Sequence, residues 1–495
     1  MSTAAASPPA HPSLAGLPSD LKKRIIRALD EIDYDEEASD DEGDDGEESK
    51  KDGEDAAETE KDKGWAAVKD ELDLIGRPMR DSLKDLTALS LVNREFSELC
   101  FSFIWRNPDL IERTNEALLY FIESIMPRHA ARIEALFLMQ SAERMLESDP
   151  SRYQSAGSST PPTEAARESQ LIEAVERLTG VAPTSNDDVR KSRVRSLLFA
   201  EIIKRTPNLE AIDFEGLLAR DGEGEGDESG LKDHVLEAVK AHGGAKLREL
   251  GYTLTPNSVG SEGDLAKLLE ALPELTKLRL ECFGGEASAA GRQALLNALV
   301  GLKKLEELDL SESDFVDEAF AALPFACPLK SLTLGEFLEL SFPAFVQLVE
   351  RFSATLEALE IDGTPSEGAT DVATGLGKPL ALPKLKILDI ASPHDAKILE
   401  CFPSIEDLRI GFCPNFKVED VVAFVEKHGG ETLKELEVEE SGAFDDEELA
   451  LLEKACEDKG VEFSTASGLD DFLDADGDEW SDEEGDDDDD DDDEE

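Results

Sequence analysis

One six-residue pattern, LxxLxL, returns at short intervals through the C-terminal two-thirds of this chain and constrains its fold more than any other feature. The copies are LEAIDF from Leu209, LRELGY from Leu247, LTKLRL from Leu275, LEELDL from Leu305, LKSLTL from Leu329, LEALEI from Leu356, LKILDI from Leu385, IEDLRI from Ile405 and LKELEV from Leu433. From Leu247 onward the starts lie roughly 20 to 30 residues apart, a period that marks stacked structural repeats. The last apolar positions of each copy alternate with polar ones, as in a strand with one buried face. Between copies, apolar residues fall at helical spacing, as in LAKLLEALPEL, ALLNALVGLKKL and FPAFVQLVERF. IEALFL from Ile133 looks like an earlier, isolated copy, and VEF at Val461 like a closing half-strand.

Such units must stack. Burying three large apolar side chains contributes about 5 to 9 kcal/mol, whereas ordering the backbone of a unit of about 28 residues costs several times that. A single unit therefore stays unfolded, and neighbours must share strand hydrogen bonds and a continuous core, with capped ends.

The units resemble leucine-rich repeats, which implies an α/β fold, a horseshoe solenoid of parallel strands backed by helices. The Asn or Cys that the family carries after LxxLxL is mostly missing, and the stretches at Cys282 and Cys413 come closest. Irregular turns and repeat lengths are therefore expected.

Charge separates the ordered parts from the rest. The formal net charge is -64; segment 31–63 supplies about -14 of it and segment 470–495 about -19, at one charge per side chain. Both are expected to be disordered, because they cannot bury enough apolar surface to fold. A chain this acidic repels phosphate, which argues against nucleic acid and for basic proteins as partners. No apolar run approaches the ~20 residues of a spanning helix, and MSTAAASPPAHPSLAG lacks the basic start and apolar core of a signal peptide. The expectation is a soluble protein of the cytoplasm or nucleus, without a membrane partner. The six cysteines, Cys100, Cys282, Cys327, Cys401, Cys413 and Cys456, are widely spaced without a CxxC pair and read as reduced packing residues.

Before the repeats, two apolar helical patches flank the first acidic run. LPSDLKKRIIRAL places Leu17, Leu21, Ile25, Ile26 and Leu29 on one face, with Ser19 or Asp20 as cap. SLKDLTALSLVNREFSELCFSFIWRNPDL follows after the insertion, with Ser82 and Asp85 at a capping-box-like start, and Asn93 suited to cap a helix carrying Phe96, Leu99, Phe103 and Trp105. Joined, the two pieces resemble an F-box, the three-helix module that docks substrate receptors on the adaptor of a cullin-RING (SCF-type) ubiquitin ligase. Leu17 and Pro18 match its opening Leu-Pro, Leu21, Ile25 and Leu29 follow, and LSLVNREF matches its L-x-L-V-x-R-x-F stretch, with Ile104 and Trp105 after it. The resemblance implies Leu17, Pro18, Leu21, Ile25, Leu89, Val92, Phe96 and Trp105 as adaptor-binding residues, and the adaptor and cullin as partners. It departs from the family in the insertion from about Asp30 to Arg80, which loop-closure entropy tolerates at only ~0.6 kcal/mol per doubling of length. The alternative is that these helices only cap the solenoid. The expected organisation is a disordered 1–16, F-box-like helices over 17–110 interrupted by 31–63, a solenoid over 111–465 with a linker around 145–165, and an acidic tail over 466–495.

No catalytic or metal constellation emerges, and no cofactor is expected. Asp474, Asp476 and Asp478 alternate as in a calcium loop, but glycine stands at Gly477 rather than at the sixth position, and Gly485 occupies the place of the bidentate glutamate. Gly222 to Gly226 alternate with acidic residues, unlike a phosphate cradle. The histidines are scattered, and no Ser or Cys stands in a nucleophile setting. Ser39 and Ser481 precede acidic residues and suit acidophilic kinases, while RKSRVR (Arg190 to Arg195) reads as a nuclear-import signal or a solvated helix face.

In LxxLxL the leucines point inward, so the residues beside the central leucine face the open side of the sheet. Glu307, Asp309, Glu360, Asp362, Asp389, Asp407, Glu435 and Glu437 are the expected substrate-binding residues there, with Lys277, Arg279 and Arg409 as exceptions. A mostly acidic ladder suits a basic protein substrate. The expected function is a substrate-recognition subunit of an SCF-type ligase that is not itself an enzyme. The alternatives are an acidic scaffold or chaperone for basic proteins such as histones, similar in plan to acidic leucine-rich nuclear phosphoproteins, and a Ran GTPase-activating protein, whose regular Asn positions and catalytic Arg loop are not found here.

Overall fold

A computed structural model describes residues 89, 94–108, 110, 113–139, 146, 163–215, 230–243, 246–253, 262–281, 289–311, 313, 315–335, 340–362, 378–391, 396–439 and 444–466. Segments 1–16 and 31–63, the helical patch at 17–29, the linker at 147–162 and the tail from 467 lie outside them. The chain divides into two compact units, Met1–Leu329 and Lys330–Glu495.

In the first unit β1 (Ala135–Met139), β2 (Ala211–Glu215), β3 (Glu249–Thr253), β4 (Lys277–Glu281) and β5 (Glu307–Asp309) pair in parallel, each with the next in the chain. The second holds β6 (Ser331–Gly335), β7 (Ala358–Asp362), β8 (Ile387–Ala391), β9 (Asp407–Ile410), β10 (Glu435–Glu439) and β11 (Glu462–Ala466), ordered the same way. This is the strand-stacked architecture of a leucine-rich-repeat solenoid, and every LxxLxL copy supplies one strand.

The register is motif on motif. Leu136, Ile212, Leu250, Leu278 and Leu308 are successive partners, and each is at most 2% exposed. Leu332, Leu359, Leu388, Leu408 and Leu436 form the same buried file in the second unit. The polar residues between the buried ones face outward, as strand periodicity dictates.

A second regularity stitches each strand to the one before. The carbonyl just before a strand accepts from two consecutive N–H groups of the next repeat: Glu210 O from Arg248 and Glu249, Arg248 O from Thr276 and Lys277, Lys386 O from Glu406 and Asp407. Ahead of β1 the same part is played by Arg106, whose carbonyl accepts from Glu134 and Ala135 at 2.8 and 3.0 Å. Arg106 follows α1 (Arg94–Ile104) and Trp105, so this helix is stitched onto the start of the sheet.

Each strand returns through a helix where the spacing allows. α2 (Asn115–Tyr120) runs through a π-turn into α3 (Met126–His129), and α4 (Glu164–Thr179) and α5 (Asp187–Arg205) lie between β1 and β2. α6 (Gly230–Gly243), α7 (Glu262–Glu270), α8 (Ala289–Gly301), the single turn α9 (Glu318–Ala321), α10 (Phe342–Arg351), α11 (Val418–His428) and α12 (Asp446–Lys459) follow among the described residues. Ser341 caps α10, and Asp445 with Glu448 forms a capping box on α12, which ends at Gly460 in the left-handed conformation (φ 69°). The shortest repeat, from Leu385 to Ile405, has room only for a 3-10 turn, Ala396–Cys401.

Two expectations need correction. IEALFL is not isolated, because β1 pairs with β2 along all five residues despite the long gap in sequence. The gap contains α5, which buries Val194, Leu197, Leu198, Phe199, Ile202 and Ile203, while α4 packs on α5 as an added layer through Leu171, Ile172 and Val175. VEF likewise lies in a full five-residue partner of β10 rather than a half-strand.

The missing asparagines also have replacements. Ser313 Oγ donates to Leu280 O at 3.1 Å, and Cys413 Sγ donates to Ile390 O at 3.3 Å. Both side chains follow the last apolar residue of their motif by three positions and reach one repeat back. Cys282 lies outside the described residues.

Candidate recognition face

The outward rows of the two units differ in how far their charges cancel. In the first unit Lys277 stands between Glu249 and Glu307 in register, with Nζ 3.8 and 3.1 Å from their carboxylates. The hydrogen bond to Glu307 leads the effects that raise the lysine's pKa. Asp309 accepts from Ser311 N and Oγ at 3.1 and 2.7 Å.

The next pairing skips a strand. Asp213, Gly251 and Arg279 share one row on β2, β3 and β4, and the Arg279 guanidinium donates to Asp213 across the glycine. A Cβ at Gly251 would overlap the Asp213 carboxyl, so only glycine leaves room for this bridge. Burial still raises the pKa of Asp213, against the pull of Arg279. Both Glu307 and Asp309, two of the expected binding residues, thus have partners within their own unit.

In the second unit the central outward row reads Thr333, Glu360, Asp389, Arg409, Glu437 and Ser464 from β6 to β11. Glu360 accepts from Thr333 Oγ1 at 2.9 Å. Arg409 lies 3.3 Å from Glu437 and 3.8 Å from Asp407. Among the described residues the Asp389 carboxyl makes no hydrogen bond or ion pair, and its pKa is raised to about 6 by burial first, then by Glu360, with Glu437 and Asp362 adding and Arg409 opposing. One row closer to the strand starts, Ile387 is 38% exposed beside Ala358 and Asp407. Asp362 is exposed and Glu435 half-buried on the same face. Six of the eight expected binding residues therefore lie in this unit, around one arginine.

The expected adaptor-binding residues fare differently. Leu17, Pro18, Leu21, Ile25 and Val92 lie outside the described residues, and Leu89 is half-buried. Phe96 and Trp105 are each 1% exposed. The Trp105 ring stacks on His129 at 4.6 Å and lies 6.2 Å from Phe121. Arg132 donates to His129 Nδ1 at 2.8 Å, which assigns the ring proton of a neutral imidazole to Nε2. Both aromatic side chains thus seat α1 against the body of the unit, and direct contact with a partner would require them to leave the core.

The basic island is engaged internally. Arg190 donates twice to Glu176 at 2.8 Å, Lys191 lies 3.0 Å from Glu168, and the 3% exposed Arg195 donates to Arg113 O at 2.8 Å with its guanidinium over Phe199. The hydrogen bonds from Arg190 hold the Glu176 carboxyl below its ordinary pKa. Four cysteines, Cys100, Cys401, Cys413 and Cys456, are buried, and burial lifts the Cys100 and Cys456 thiols to about 11. Thiols in that state are protonated at neutral pH and serve packing. Among the described residues no group of three or more His, Cys, Asp or Glu could hold a metal ion, and no helix is long and apolar enough to cross a membrane.

No family model and no curated protein sequence matches the chain. Among solved structures the chain is similar to one in the crystal structure of the Rad7 and Elc1 complex in yeast, with TM-score 0.37 and 12% identity, over 80% of this chain and 87% of that one. At this level the similarity carries no functional argument, and the fold rests on the strands and their register.

Proposed function

We propose that this chain is a substrate-recognition subunit of a cullin-RING (SCF-type) ubiquitin ligase, in which the N-terminal helices dock on the adaptor and the repeats hold a basic protein substrate. Its own chemistry is binding, and the ligase's other subunits transfer ubiquitin. The observation that carries the recognition half is the outward row Glu360, Asp389 and Glu437, interrupted only by Arg409. An extended sheet face with an excess of one charge favours a partner of opposite charge and speeds its arrival.

The docking half rests on Leu17-Pro18 and LSLVNREF. The stitch from Arg106 to β1 supports it, because it would give a docked module a rigid connection to the repeats. The same stitch also suits a plain cap, so docking must be measured. Co-precipitation with the adaptor tests it: the wild-type chain should bring the adaptor down, and Leu17→Ala with Pro18→Ala should not. No adaptor with the wild-type chain refutes the proposal.

The carboxylate row and the charge of the terminal segment equally favour a second reading, an acidic scaffold for basic proteins in the cytoplasm or nucleus. Histone binding that is salt-sensitive and lost on removing residues 467–495, without adaptor capture, would support that reading instead.

A further inference from the structure

The two outward faces are built from the same repeat, yet among the described residues they differ in how many cations stand among their carboxylates. On β2 to β5 the cations Lys277 and Arg279 stand among the carboxylates and pair with Glu249, Glu307 and Asp213. On β7 to β10 the outward side chains include Glu360, Asp362, Asp389, Asp407, Glu435 and Glu437 with one cation among the described residues, Arg409, which is turned to Glu437 and Asp407. Neighbouring strands lie about 4.8 Å apart, so a carboxylate and its register partner are within reach of one incoming cation. The same face has an apolar shelf. Ile387, an exposed large hydrophobic residue, sits beside Ala358 and two residues before Asp389 on the outward side, about 6.6 Å along the strand.

We propose that the docking surface is the outward face of β7 to β10 and not that of β2 to β5, and that its occupant is an extended lysine- or arginine-bearing protein segment, one of whose cations sits between Glu360 and Asp389 with its aliphatic stem on Ile387 and Ala358. The inference rests on the sheet-face reading of the function and locates it. Long basic side chains combine an apolar stem with a charged head, which is the pairing of surfaces this face offers.

Proton linkage follows from the surroundings of Asp389. Glu360 and Asp362 on β7 and Glu437 on β10 raise its proton affinity along with burial, while Arg409 on β9 opposes them. An arriving cation favours the ionised carboxylate, so binding near pH 6 expels a proton and weakens as the pH falls.

The test uses the full chain and a fluorescent decapeptide of alternating lysine and alanine with a photoreactive group at its centre. Glu360→Gln with Asp389→Asn should weaken binding by about tenfold or more, as loss of close charge pairs does. Glu307→Gln with Asp309→Asn should leave it unchanged. Cross-links should map to β7 to β10, and the fall in affinity from pH 7 to pH 5 should shrink in the Asp389→Asn chain. Equal losses in both pairs of variants overturn the location while leaving the sheet-face reading standing. No loss in either pair, with cross-links confined to residues 467–495, overturns both. Adaptor capture is unaffected in every case and reports on docking alone.

Discussion

Asp389 on β8 stands in register with Glu360 on β7, so two carboxylates face solvent side by side on adjacent parallel strands. Burial and this neighbour raise the folded-state pKa of Asp389 from an ordinary 3.8 to about 6. Between those values the folded chain holds more protons than the unfolded one, so stability declines as the pH rises through that window. Above pH 6 the full penalty applies, and below pH 4 it is absent. Asp389→Asn should therefore stabilise the second unit at pH 7.5 by about 1–3 kcal/mol, at roughly 1.4 kcal/mol per tenfold change in proton affinity. Thermal melts at pH 7.5 and pH 4 check this, the gain being expected only at the higher pH.

At Gly251 the Asp213 carboxyl occupies the place of a Cβ. Gly251→Ala should displace Asp213, break its bridge to Arg279 and destabilise the first unit by about 1–3 kcal/mol, as overpacking does. Gly301, at the end of α8, has open space around it. Gly301→Ala should be neutral or gain up to about 1 kcal/mol. Denaturant melts of the two variants should move in opposite directions or differ clearly.

Ser313 is 1% exposed and ties its turn to the Leu280 carbonyl. Ser313→Ala leaves that buried acceptor without its side-chain donor and should cost about 1–2 kcal/mol. Hydrogen exchange should show the loss around β4 and β5, whereas a uniform change across the chain would count against a local tie.

Trp105 is expected to matter for folding before it matters for docking. Trp105→Ala empties a site packed by His129 and Phe121 and should cost about 3–5 kcal/mol. Leu17→Ala with Pro18→Ala should abolish adaptor capture at an unchanged melting temperature. If Trp105→Ala leaves the melt unchanged, α1 is not seated as described.

Much of this fold was readable because LxxLxL fixes both the strand and its buried face. Aligning the motifs also gives the register, which would have placed Lys277 beside Glu249 and Glu307 and removed Glu307 from the free carboxylates. The Arg279–Asp213 bridge was less accessible, since its partners stand two strands apart and meet only across the missing side chain of Gly251. Trp105 carried two meanings in the sequence, a motif residue and a large aromatic on an apolar face, and the structure supports the packing one. Ser313 was missed because the family signal at that position is Asn or Cys, although a hydroxyl supplies the same donor. The extra α4 layer came from a gap whose apolar spacing marks helices but not where they pack.

The measurement closest to the central claim compares the proteins that copurify with the wild-type chain and with Glu360→Lys, Asp362→Lys and Glu437→Lys combined. The account predicts that the adaptor and cullin are retained by both chains, while a basic partner held by the wild type is lost from the variant. Adaptor missing from the wild-type sample, or the same basic partner held equally by both, contradicts it.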